Sequence, residues 1–122
     1  MDAGEIASER VEPGVAVITF SGEHDLNTAP DLRHKLAAEL DDGFAIVVDL
    51  SGAAFIDSSI LGAMLDARRR ARDAGIGFEV TLNSGAQPVE RVLDVTGLRS
   101  SLPVHSARAE AIEAARSGPA GQ

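Results

Sequence analysis

The sequence predicts a single α/β domain on a mixed, partly parallel β-sheet with about four α-helices. Three observations lead there. Short β-branched runs alternate with amphipathic helical stretches, the strand-to-strand spacings are long enough for βαβ crossovers, and 122 residues suffice for one domain but not two. A hydrophobic content of 44% with 25% charged residues is ordinary for a globular chain that supports its own core.

The elements follow in order. Val15 to Phe20 (VAVITF), bounded by Pro13-Gly14 and Ser21-Gly22, reads as a strand, with Ile6 to Arg10 as a short hairpin arm beside it. After the loop GEHDLNTAP, Asn27 or Thr28 is positioned to cap a helix carrying Pro30 and Asp31 in its first turn. Leu32, Leu36 and Leu40 give that helix its apolar stripe, and Asp41-Asp42-Gly43 ends it. Phe44 to Leu50 is a nearly continuous apolar run, the pattern of a strand covered on both faces.

Ser51 to Ala54 reads as a turn, Phe55-Ile56 as buried, and Asp57-Ser58-Ser59 as the start of a second helix with Ile60, Leu61, Met64, Leu65 and Ala71 on its apolar face. Gly75 stops it. Phe78 to Leu82 alternates like a strand, and Pro88 to Val95 is a short helix closed by Thr96-Gly97. Leu102 to Val104 is a last short strand ahead of an Ala-rich helix from about Ala107 to Arg116 capped by Ser106. The domain is expected to span 1–116, with 117–122 a disordered tail.

Composition removes several function classes. Four Phe with no Trp or Tyr cannot build an aromatic stacking platform for single-stranded nucleic acid or sugars. Eleven basic against nineteen acidic residues leave a net charge of −8, which phosphate backbones and anionic lipid repel, so neither nucleic acid nor membrane is an expected partner. With no cysteine there is no disulfide framework, thiolate metal site or cysteine nucleophile. No basic start is followed by an apolar run, and no stretch reaches the length of a membrane span, which makes cytoplasmic the expected location.

In open α/β sheets the chemistry lies at the carboxyl ends of strands and at helix N-termini, which directs attention to 21–28 and 51–59. Asp57-Ser58-Ser59 has two readings from its residues alone. As an N-cap it stabilises the helix by about 1 kcal/mol. As a phosphorylation site it adds a charge of about −1.5 to −2 that free N–H groups and the helix dipole tolerate, but that an interface does not.

The stretch Val47 to Ala71, VVDLSGAAFIDSSILGAMLDARRRA, resembles the signature segment of the STAS domain family, and within it the bacterial anti-sigma factor antagonists. Phe20-Ser21-Gly22-Glu23-His24-Asp25 with the following Thr-Ala-Pro, and Val92-Leu93-Asp94-Val95-Thr96-Gly97-Leu98, resemble further family segments in the right order across about residues 5–115. The resemblance implies a noncatalytic protein without cofactor that binds an anti-sigma serine kinase and so releases a sigma factor. It implies Ser58 as phosphoacceptor, a serine phosphatase that resets it, and a partner surface of Asp25, Asp57, Ser58, Ser59 and Ile60, with Asp25 beside the acceptor hydroxyl. A phosphorylation-independent scaffold or small-ligand sensor is the alternative within the same family.

Two positions depart from the family pattern. Ile60 stands where Gly is common, either tucked at the edge of the stripe continued by Met64 or exposed to a partner. His24 replaces an apolar residue and reads as a solvent-facing loop side chain. Rival readings are weak. A Ser58–His24–Asp hydrolase triad lacks a Gly-x-Ser-x-Gly elbow. A phospho-receiver built on Asp49 lacks a lysine near the last strand, the only lysine being Lys35. His24 and the nearby carboxylates have no metal-ligand spacing. The Arg68, Arg69, Arg70 and Arg72 cluster reads as a solvated helix face.

Overall fold

The computed structural model describes residues 4–11, 13–83, 85 and 87–118. In chain order the elements are β1 (Glu5–Val11), β2 (Val15–His24), α1 (Ala29–Asp41), β3 (Ala45–Ile56), α2 (Ser58–Asp73), β4 (Phe78–Thr81), α3 (Gln87–Thr96), a 3-10 turn (Leu98–Ser100), β5 (Val104–His105) and α4 (Arg108–Arg116). The five strands form one sheet in sequence order, with β1 antiparallel to β2 and every other pairing parallel. The hairpin arm, the mixed sheet and the four helices match the expected class.

Alternation along the strands divides the apolar residues between two cores. Ala16, Ile18 and Phe20 of β2, Ile46, Val48 and Leu50 of β3, and Phe78 and Val80 of β4 pack against Leu32, Leu36 and Leu40 of α1, Ile60, Leu61 and Met64 of α2, and Val89 and Leu93 of α3. The intervening Val15, Val17, Ala45 and Val47 meet Ala111 and Ala115 of α4 in a smaller second core. Arg108 pins the N-terminus of α4 to the sheet through Asp49, with its Nη2 at 2.7 Å and its Nε at 3.0 Å from Oδ2.

Several local expectations are corrected. Ser51 to Ala54 is no turn: β2 and β3 stay paired to Glu23↔Phe55 and His24↔Ile56, with register shifts between Thr19 and Ser21 and between Gly22 and Glu23. At each shift β3 carries one extra residue, and a bulge of this kind draws on the same Ser-Gly composition as a turn. Gly52 is required there, because a Cβ at that position would stand 2.6 Å from the Phe20 carbonyl oxygen. Ile56 is buried as expected, but Phe55 is 43% exposed.

The final strand is Val104–His105 rather than Leu102 to Val104, and Leu102 belongs to the larger core. Helix α4 has Ala107, not Ser106, at its N-cap. Thr28 occupies the N-cap position of α1 without a side-chain capping bond, its hydroxyl being engaged elsewhere. At the chain end Ser117 and Gly118 donate backbone hydrogen bonds to Ala114 and Ala115, and the rest of the tail expected at 117–122 lies outside the described residues.

Candidate phosphoacceptor site

The carboxyl ends of β2 and β3 bring the two candidate loops side by side, as the His24↔Ile56 pairing requires. Asp57 leaves β3 in an extended conformation (φ −117°, ψ −174°) and caps α2. Its Oδ1 accepts from the Ser59 N–H at 2.9 Å, the Ser59 hydroxyl at 2.5 Å and the Ile60 N–H at 3.3 Å. The Leu26 N–H, from the neighbouring loop, also donates to this carboxylate. Desolvation opposes ionisation of Asp57, but the donors from Ser59, Ile60 and Leu26 outweigh it and hold the carboxyl below its ordinary range.

Ser58, the first residue of α2, is exposed, and its hydroxyl makes no hydrogen bond to any described residue. Capping is done by Asp57, and Ser59 is half-buried with its hydroxyl held by that cap. The two adjacent serines therefore have different environments.

Asp25 is exposed and folds its own turn: Oδ1 accepts from the Asn27 N–H at 2.9 Å, and its carbonyl accepts from the N–H groups of Thr28 and Ala29, both at 3.0 Å. This turn, rather than the Asp25 carboxylate, makes the contact with the α2 head, through Leu26 and Asp57. Ile60 is 0% exposed and lies in the larger core with Met64, so the buried reading holds. Its side chain is not part of the outer surface, which corrects its place among the partner contacts.

His24 is also corrected. It is 0% exposed at the end of β2, not in a solvent-facing loop. Its Nε2 lies 2.9 Å from the Ser21 carbonyl oxygen and its Nδ1 3.1 Å from Thr28 Oγ1, while the ring meets Phe20 edge-on at 4.8 Å between centroids. Neither nitrogen is joined to Ser58, so the ring supplies no base for a triad. Asp49 sits within β3 rather than at a strand end and is 7% exposed. Desolvation raises its carboxyl pKa, but donors from Ser51 and Arg108 pull it lower still, and the balance leaves it below the ordinary range.

Sequence reasoning missed the apolar part of this surface. Leu26 and Phe55, at 68% and 43% exposure, flank the head of α2, and with Val95 they are the exposed large hydrophobics among the described residues. A Leu in a polar loop was the available signal for one. Phe55 is apolar and reads as buried, yet alternation from Leu50 already sets it on the face opposite Ile56, and the two bulges leave it there. Two of the clustered arginines pair with acidic neighbours, Arg69 with Asp66 and Arg70 with Asp41, as a solvated face does. Among the described residues no group of three or more His, Cys, Asp or Glu is placed to hold a metal ion, and no helix is long and apolar enough to cross a membrane.

A family model described as the STAS domain matches residues 7–111. The chain is 30% identical over 101 residues to the anti-sigma F factor antagonist of Paenibacillus polymyxa, covering 81% of this chain and 85% of that protein. It is 27% identical over 93 residues to the anti-sigma-B factor antagonist of Bacillus subtilis (strain 168), covering 76% and 83%. The crystal structure of an anti-sigma factor antagonist from Mycobacterium paratuberculosis shares the fold with a TM-score of 0.79 at 29% identity, over 93% of this chain and 95% of that one.

Proposed function

We propose, from the premise that this chain belongs to the STAS domain family, that it is a noncatalytic anti-sigma factor antagonist whose grip on its partner is set by phosphorylation of Ser58. The observation that carries this reading is the division of labour at the head of α2. Asp57 satisfies the helix N-terminus, so the exposed hydroxyl of Ser58 has no structural duty and can be modified without unfolding the helix.

Unmodified, the surface around Asp25, Leu26, Phe55, Asp57, Ser58 and Ser59 docks on an anti-sigma factor that is also a serine kinase, and the sigma factor is released. The kinase transfers the γ-phosphoryl group of its own ATP to Ser58 Oγ; the hydroxyl loses its proton and ADP leaves. The product places a charge of about −1.5 to −2 next to the Asp57 carboxylate within the contact. Truncating or mispairing a buried charge at an interface costs about 2–5 kcal/mol, which is tens- to thousands-fold in affinity. A separate phosphatase restores the hydroxyl by hydrolysis.

The test is a pull-down from native-host lysate with wild type, Ser58→Ala and Ser58→Asp as baits, read by mass spectrometry. The switch requires that wild type and Ser58→Ala recover an ATPase-type kinase, that Ser58→Asp does not, and that phosphate is found on Ser58 of the wild type. Recovery of the same non-kinase partners by all three baits, with Ser58 unmodified, rejects it in favour of a phosphorylation-independent STAS scaffold.

A further inference from the structure

We propose that His24 is a proton-dependent positioning residue for the phosphoacceptor loop, acting through the hydroxyl of Thr28 on the backbone of Asp25. The argument is one of donors and acceptors. The Ser21 carbonyl only accepts, so Nε2 of His24, 2.9 Å away, carries a proton in every state of the ring. The variable proton is the one at Nδ1, which faces Thr28 Oγ1 at 3.1 Å.

Thr28 Oγ1 also stands 3.2 Å from the Asp25 N–H, which donates to it, and 3.2 Å from the Asp25 carbonyl oxygen, to which it can donate. With His24 neutral, the Thr28 hydroxyl donates to Nδ1. With His24 protonated, Nδ1–H donates to Thr28, and the hydroxyl turns to donate to the Asp25 carbonyl. Each state satisfies both ring nitrogens and the hydroxyl, so this buried imidazole can change charge without leaving a polar atom unpaired.

The segments that meet at the ring carry carboxylates: Glu5, paired opposite Ser21 on β1, Glu23 and Asp25 on either side of His24, and Asp57 next to its β3 partner Ile56. The output is local. The carbonyl that gains or loses the Thr28 hydroxyl belongs to Asp25, and the next residue, Leu26, gives its N–H to Asp57, the cap beneath Ser58. Proton uptake at His24 thus resets the turn that braces the acceptor. By linkage, a phosphoryl group on Ser58 and a proton on His24 favour one another. Only this last consequence rests on the Ser58 reading; the relay needs no partner.

The experiment is NMR of the full chain from about pH 5 to 8, the range in which histidine changes charge. It follows the His24 ring nitrogens together with the Asp25 and Leu26 amides. In wild type all are expected to follow one titration curve. Thr28→Val should abolish the amide response while the ring still titrates, Thr28→Ser should restore it, and His24→Gln should leave the amides flat. A ring that does not titrate, amides that ignore it, or an unchanged amide response in Thr28→Val overturns the relay. Such a failure leaves the Ser58 pull-down unaffected, and a failed pull-down leaves the NMR result standing.

Discussion

Replacing Asp57 by Ala removes one carboxylate from two jobs, closing the first turn of α2 and tying the Asp25 turn to it. The capping bonds to Ser59 and Ile60 contribute about 1 kcal/mol, the usual cost of an N-cap truncated to Ala. The Leu26 N–H loses its acceptor in the same step, for about 1 kcal/mol more. At about 4 °C per kcal/mol for a domain of this size, the sum of about 2 kcal/mol lowers Tm by about 8 °C in calorimetry. Hydrogen exchange at the Leu26 amide should accelerate alongside.

Asp57→Asn keeps a capping oxygen and isolates the charge. The Asp57 carboxyl is held below its ordinary value in the folded chain, so the stability it adds is present above about pH 4 and is lost as pH falls through the folded value. The gap in stability between wild type and Asp57→Asn should therefore be widest near neutrality and close in acid. A Tm for Asp57→Ala equal to that of wild type, or a gap that widens in acid, would refute the reasoning.

Three further outcomes follow. Leu26→Ser and Phe55→Ser should each weaken binding to the captured anti-sigma partner about tenfold, by titration calorimetry, with Tm nearly unchanged because both side chains already face solvent. Ile60→Gly, instead of opening the acceptor to a kinase, should destabilise the fold by about 3–6 kcal/mol in urea, combining a lost core side chain with a helical glycine. Arg108→Ala should cost about 1–2 kcal/mol, because Asp49 is nearly buried while the guanidinium is 42% exposed. Since the Asp49 carboxyl is held low in the fold, that cost should shrink as pH drops below about 4.

The α/β class, the strand and helix cores and the Asp57-Ser58-Ser59 helix start are legible because each rests on local periodicity or on a short run of residue types. Leu32, Leu36 and Leu40 announce the buried face of α1 by spacing alone. Errors arose where a tertiary contact overrode a local signal. His24 lies in a polar loop sequence, yet Phe20 and the Thr28 hydroxyl give it a buried place. Ser106 is the natural cap for α4 by residue type, but the helix begins at Arg108, which Asp49 holds from the sheet face that α4 covers. Residue type alone does not separate Ser58 from Ser59, which only the family resemblance distinguishes; the direction of the Asp57 carboxylate supplies the physical difference.

The paired bulges of β3 carry a consequence for how this chain tolerates insertion and deletion. Along β2 the inward residues Phe20 and His24 keep the even count of a strand, while their counterparts on β3 run Leu50, Ala53, Ile56, three apart. Each extra residue adds a second outward position, Ser51 with Gly52 and Ala54 with Phe55, so the inward face beyond it keeps its register with β2. Deleting either one alone would flatten its bulge and leave Glu23↔Phe55 and His24↔Ile56 paired as before, with Ile56 still facing the core. Deleting both would leave a shorter strand of regular alternation with the same inward residues. Single-residue changes of length at the two bulges are therefore absorbed within β3, and the aim of the helix that follows Ile56 is kept.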